Sequence, residues 1–288
     1  MSVRFGVFVP QGWKMDLVEI ADPVDQYEAM TAVARVADAG PWDSIWLYDH
    51  FHTVPEPTDN AVFECWTATS TLARDTSRVN IGQMVGCNGY RQPSLYAKIA
   101  STVDVASHGR LYAGLGAGWY EHEWKAYGYE WTDIPPRMAA FREAVEIIDK
   151  MWNEDRPVYH GKYHRIDGPI NQPRRRPSFW LGGGGEKVTL KLVAQYADAC
   201  NVGGGNPELV AHKLGVLRQH CEKLDRDYDR IIKSTTIELD LSWSTAQVRE
   251  RVDKVLAAGA NYVLFYIPRV AYDHEPLLRL AEELVPAY

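Results

Sequence analysis

The sequence is poor in cysteine: Cys65, Cys87, Cys200 and Cys221 are scattered, and no C-x-x-C pair occurs. No histidine stands at metal-ligand spacing beside them, so neither a disulfide framework nor a zinc site is expected, and no metal is predicted. Long apolar runs are missing too, none approaching the roughly 18 residues that a membrane helix requires. Residues 3 to 9 already read as a strand, with no charged-then-apolar leader before them, which points to a cytoplasmic protein. Basic charge is also scarce. Lysine plus arginine number 31 against 38 acidic residues, a formal net charge of −7, so nothing suggests a nucleic-acid or anionic-membrane partner. Any phosphate-bearing ligand must therefore be held by local amides and a few local cations.

What is present is a large apolar content, 46% hydrophobic over 288 residues, enough for a sizeable core. Strand and helix patterns alternate along it. Val3–Val9, Ser44–Tyr48, Val79–Asn88 and Leu111–Gly118 read as the first four strands; helices are expected at Pro23–Ala39, Ala61–Arg74, Ser94–Ser107 and Arg137–Asn153, with an interruption at Pro135-Pro136. Residues 157–177 break the rhythm as a short insertion, with a hairpin over Val158–Ile166. Phe179–Leu181 opens the second half, followed by strands at Ala199–Val202, Ile231–Leu241 and Tyr262–Ile267. Their helices are expected at Glu186–Ala197, Pro207–Leu224, Thr245–Ala258 and His274–Leu284. Eight βα units predict one α/β domain over residues 1–288, a (β/α)8 TIM barrel, with an open doubly wound sheet as the alternative.

A barrel places its chemistry at the carboxyl ends of the strands. Strand five empties into Gly182, Gly183, Gly184 and Gly185, whose backbone amides can approach a phosphate closely, with a helix predicted from Glu186 adding its dipole. Lys187 or the run Arg174-Arg175-Arg176 are the candidate cations. At other strand ends stand Trp13, Asp49 and His50, Cys87 and Asn88, Trp119, Tyr120 and Glu121, and Asn201. This mixture of small, aromatic and amide side chains suits a flavin-sized ligand better than a sugar. Trp13, Trp119 and Tyr120 are expected to wall a substrate pocket, together with residues 52–60, the hairpin near Tyr159–Arg165 and the end of strand eight. A glycosidase barrel using Glu121 and Glu238 is a competing reading.

The segments FGVFVPQGW, WLYDHF, MVGCNGYRQPSLYAKIASTVDVASHGR, GLGAGWYEHEWKAYGY, FWLGGGGEK and YADACNVGGG together resemble the luciferase-like oxidoreductases, in particular the branch that uses the deazaflavin coenzyme F420. The resemblance implies a bacterial-luciferase-like barrel, a homodimer, a small-molecule substrate, and F420 as cofactor, with FMN and a monooxygenase activity as the alternative. It also implies that Asp49 and His50 hold the ring edge. Val85, Gly86, Cys87 and Asn88 would form a bulge against the ring face, with a non-proline cis peptide. Gly116, Ala117, Gly118 and Trp119 match the turn after strand four, and Gly182 to Gly185 with Lys187 match the phosphate loop. His50 is the first candidate for proton transfer and Glu121 the second. A coenzyme-binding protein without catalysis is a further alternative.

Overall fold

The computed structural model describes residues 3–288. From the amino end its first half runs β1 (Arg4–Phe8), α1 (Pro23–Ala39), β2 (Ser44–Leu47), α2 (Cys65–Asp75), β3 (Asn80–Gln83), β4 (Gly86–Cys87), α3 (Pro93–Ala106), β5 (Leu111–Gly116), α4 (Glu121–Ala126) and α5 (Ile134–Asn153). A small hairpin, β6 (Val158–His160) and β7 (Arg165–Asp167), precedes β8 (Ser178–Gly182) and α6 (Thr189–Tyr196). The chain ends with β9 (Ala199–Asn201), α7 (Pro207–Lys223), β10 (Ile232–Glu238), α8 (Thr245–Ala257), β11 (Tyr262–Tyr266) and α9 (Glu275–Glu283).

Local chemistry explains where these elements begin. Asp22 accepts the Val24 amide ahead of Pro23 at the start of α1, and Ser244 with Gln247 forms a capping box on α8. Pro135-Pro136 does not interrupt a helix as expected but opens α5, where a missing N–H costs nothing. α2 starts four residues later than predicted because the Glu64 side chain caps it, accepting from the amides of Trp66 and Thr67.

The strands β3, β2, β1, β11, β10, β9, β8 and β5 pair in parallel in that order, and β3 returns to β5 with Ile81 opposite Leu111 and Gly82 opposite Tyr112. The ring of eight is closed, and the open-sheet alternative falls. The third predicted strand is broken: β3 stops at Gln83, the Met84–Val85 peptide is cis, and β4 resumes on β5 with Gly86 opposite Leu115. Inside the barrel Phe8, Trp46, Tyr112, Trp180 and Tyr262 pack together, Trp46 and Trp180 with centroids 4.8 Å apart. These rings fill the interior, so a ligand is confined to the mouth. The larger core lies between the outer strand faces and the helices, each fully buried Leu or Phe contributing about 1.5–3 kcal/mol. Among the described residues no helix is long and apolar enough to cross a membrane.

Candidate active site

A cavity of about 990 Å³ opens at the carboxyl ends of the barrel strands. Its far wall is the break between β3 and β4. Val85 occupies space that two neighbouring strands leave empty, because a Cβ on Gly116 would come within 2.5 Å, and one on Gly182 within 2.6 Å, of its methyls. Glycine at the ends of β5 and β8 is thus what lets the bulge face the cavity.

The bulge is pinned from behind. Asp49 is 2% exposed, and its carboxylate accepts the Cys87 amide at 2.8 Å and both terminal nitrogens of Arg91 at 2.5 and 3.0 Å. Arg91 also reaches Glu64 at 2.5 Å. Asp49 borders the cavity, as its strand-end position predicts, yet both its oxygens are engaged in fixing the backbone. Burial pushes the Cys87 thiol up to about 12, with Asp49 raising it further, so it is packing and not a thiolate nucleophile.

His50, next to Asp49 in the chain, also borders the cavity. Its ring lies flat on Trp13, with centroids 4.3 Å apart and planes 2° apart, while Trp119 meets it edge-on at 5.6 Å. Nδ1 is 2.8 Å from Glu123 Oε2. Glu123 is 0% exposed and also accepts the Tyr90 hydroxyl at 2.6 Å and the amides of Phe51 and His52 at 2.8 Å each. Burial alone would raise its pKa, but the hydrogen bond and charge of His50, then the Tyr90 hydroxyl and the His52 amide, hold it below the ordinary carboxylate range. An ionised carboxylate only accepts, so Nδ1 of His50 carries a proton and Nε2 is the nitrogen free for the cavity.

The glycine loop borders the same cavity through Gly182, Gly183 and Gly185, with Lys187. Gly184 does not line it, since the Lys213 side chain lies across that residue, 3.1 Å from where a Cβ would stand. α6 begins at Thr189, not Glu186, so Glu186 and Lys187 belong to the loop. Lys213, on α7, pairs with Glu186 at 2.6 Å and faces the cavity. Asn201 is anchored through its amide nitrogen to Ser234 at 2.9 Å, which leaves its carbonyl oxygen unbonded.

Val85, Gly86, Cys87, Gly116, Ala117, Gly118, Trp119, Tyr120, Trp13 and Asn201 all line the cavity. Asn88 and Glu121 do not. Asn88 turns into the short helix after β4 and faces a separate cavity. Glu121 pairs with Lys125 at 2.6 Å, both half exposed or more, as expected of a first-turn carboxylate. Glu238 pairs with Lys14 at 2.5 Å and is 61% exposed, so the two glutamates of the glycosidase reading share no cavity. Arg174 is 4.0 Å from Asp155, Arg175 bonds Asp104 and Arg176 bonds Asp198, none of them bordering the cavity. Residues 52–60, the hairpin and the end of β11 are absent from its walls; Met138 and Arg142 of α5 stand there instead. Sequence reasoning missed Glu123, Arg91 and Lys213. The only local signal for Glu123 was its first-turn position beside Glu121.

A closed parallel barrel with one large cavity at its carboxyl mouth, a bulged third strand and a glycine loop after β8 defines the class. The chain belongs to the luciferase-like monooxygenase family, whose profile matches residues 3–281. It is 30% identical over 211 residues to an F420-dependent glucose-6-phosphate dehydrogenase of Amycolatopsis mediterranei strain U-32, a match covering 70% of this chain and 61% of that protein. An enzyme of the same name from Intrasporangium calvum is 27% identical over 293 residues, covering 95% of this chain and 81% of that one. In fold it is similar to an F420-dependent secondary alcohol dehydrogenase solved with an F420-acetone adduct, at a TM-score of 0.80 and 18% identity, covering 100% of this chain and 99% of that one.

Proposed function

We propose that this chain is an oxidoreductase that uses the deazaflavin coenzyme F420 and exchanges a hydride with a small organic substrate, an activated C=C or C=N bond being the favoured acceptor. The observation that carries this reading is that His50, the Val85 bulge and the glycine loop all border one cavity. The residues fit a flat ring with a phosphate tail. Val85 gives a smooth wall behind the ring, while the Gly185 amide, with Lys187 and Lys213, suits the phosphate, the Gly183 amide being taken by the Asn201 backbone carbonyl at 3.3 Å. Relatives named for F420 support the choice over FMN.

When bound, F420 supplies hydride chemistry at its ring. The protein's part is to orient the reactants and to manage the proton. Glu123 fixes the tautomer and angle of His50, so that Nε2 gives a proton to a reduced product or takes one from an alcohol. Trp13 stacks on the imidazole and Trp119 meets it edge-on, which holds the ring at the cavity wall. The relatives are named for glucose-6-phosphate, but the rings around His50 are Trp13, Trp119 and Tyr120, with the lysines at the glycine loop. We therefore infer a substrate whose reacting part is apolar and stacks against these rings. The assembly proposed is a cytoplasmic homodimer of single-domain subunits.

Titration of the apo-protein with F420 and, in parallel, with FMN, followed by fluorescence, tests the reading. Tight binding of F420 alone is expected. Preference for FMN would move the chain to the oxygen-using enzymes, and binding of neither would end the proposal. Binding of F420 without turnover of any imine, enone or alcohol would leave a coenzyme-binding protein.

A further inference from the structure

Behind the bulge lies a second cavity of about 370 Å³, bounded by the turn after β4, the segment after α4, the first turns of α5 and the tip of the β6–β7 hairpin. Asn88, Arg91, Trp124, Arg137, Tyr163 and His164 face it. We propose that this cavity is a binding site for a small oxyanion, a short carboxylate or a phosphate, held by Arg137 and His164.

The argument rests on polar atoms left without partners. Nη1 of Arg137 and both ring nitrogens of His164 are buried and make no hydrogen bond. The His164 ring faces the Ala140 carbonyl without closing a bond of normal geometry. Buried polar groups left unsatisfied are costly, and native structures seldom keep them so. The Arg137 guanidinium is stacked on Trp131 with its carbon 4.0 Å from the ring centroid, which fixes its plane. Among the described residues no carboxylate pairs with it: Glu130 lines the solvent edge without bonding it, whereas the charge of Arg91 is engaged by Asp49 and Glu64.

His164 is also held in place. The Glu143 carboxylate accepts the backbone amides of Lys162 at 2.8 Å, Tyr163 at 2.8 Å and His164 at 2.9 Å, clamping the hairpin tip to α5. Glu143 thereby turns three of its roughly four acceptor sites to the backbone and none to Arg137. What remains is one unneutralised guanidinium, fixed in orientation, and one imidazole on a clamped backbone, lining the same cavity with Asn88. Planar donors in fixed positions match the oxygens of a carboxylate or phosphate. This also gives a place to Asn88, which sits outside the main cavity.

The test follows the ring-proton resonance of His164 in the coenzyme-free chain, assigned with His164→Gln, during titrations with acetate, lactate and inorganic phosphate at constant ionic strength. A saturable shift that weakens at least about tenfold in Arg137→Gln, a loss typical of one charged hydrogen bond, and is partly restored in Arg137→Lys, is the expected result. The tighter of the three probes then names the class. No saturable shift with any of them, or one unaffected by Arg137→Gln, overturns the site and leaves the cavity to water. Competition by F420 would also overturn it, by making the cavity part of the main site. Matched circular dichroism of the variants separates lost binding from lost fold.

Discussion

His50 Nδ1 stands 2.8 Å from Glu123 Oε2 across 73 residues of sequence, and that carboxylate is fully removed from solvent. Glu123→Gln preserves the shape but replaces an acceptor oxygen with an amide that must face donors. A loss of about 3 kcal/mol in urea denaturation is expected, with kcat falling on the order of 100-fold once F420 and a substrate are supplied. Unchanged kcat would make the pair structural only.

Glu121 lies two residues away and should behave oppositely. It is half exposed and paired with Lys125, an interaction worth about 1 kcal/mol or less. Glu121→Gln should leave turnover and the denaturation midpoint nearly unchanged; a large drop in kcat would return it to the catalytic machinery.

Val85 and Gly182 can be tested as a pair. A Cβ at Gly182 would fall 2.6 Å from a Val85 methyl, so Gly182→Ala should cost about 1–3 kcal/mol by overpacking and weaken coenzyme binding. Adding Val85→Ala should recover part of both losses. Additive losses in the double variant would show that the two side chains do not meet.

Arg91 is a positioning residue by the same logic. Arg91→Met leaves the buried Asp49 carboxylate unpaired, at a cost of about 3–5 kcal/mol. Asp49→Asn in the same chain should restore much of that stability, because the stranded charge is gone. Coenzyme affinity should stay low in both, since the Cys87 amide keeps at most a neutral partner.

The pH dependence has two opposing parts. Burial raises the Asp16 carboxyl to about 6, against the Gly12 amide and Lys14, which lower it. Its contribution to stability is present below about pH 3.8 and is lost as pH rises through about 6. Asp16→Asn should therefore stabilise the protein near pH 7, by about 3 kcal/mol at most. Glu123 runs the other way: its pKa is depressed, so its contribution is present above the ordinary value of 4.5 and disappears as pH falls through the lower folded value. Denaturation midpoints from pH 4 to 7 that move identically in wild type and Asp16→Asn would refute the Asp16 assignment.

The eight βα units were legible because strand and helix periods are local, whereas the choice between a closed ring and an open sheet rested on the pairing of β3 with β5. Glycines 182 to 185 were legible for a similar reason, since their lack of Cβ is a property of the residues themselves. The Pro135-Pro136 misreading shows the limit: the same dipeptide breaks a helix or opens one according to which side of it the apolar face continues.

The sequence by itself determined the alternation and number of the strands and the set of strand ends that could carry chemistry; the closing pair of β3 and β5 came from the tertiary structure. The sequence also determined that the ends of β5 and β8 are glycine, without which Val85 could not stand where it does. Only the tertiary structure decided which polar groups meet. Glu123 reaches His50 across 73 residues, Arg91 reaches Asp49 across 42, and Lys213 reaches Glu186 across 27. A hydrogen bond depends on sub-ångström placement of two atoms carried by different elements, and no period or motif in a single chain encodes that distance.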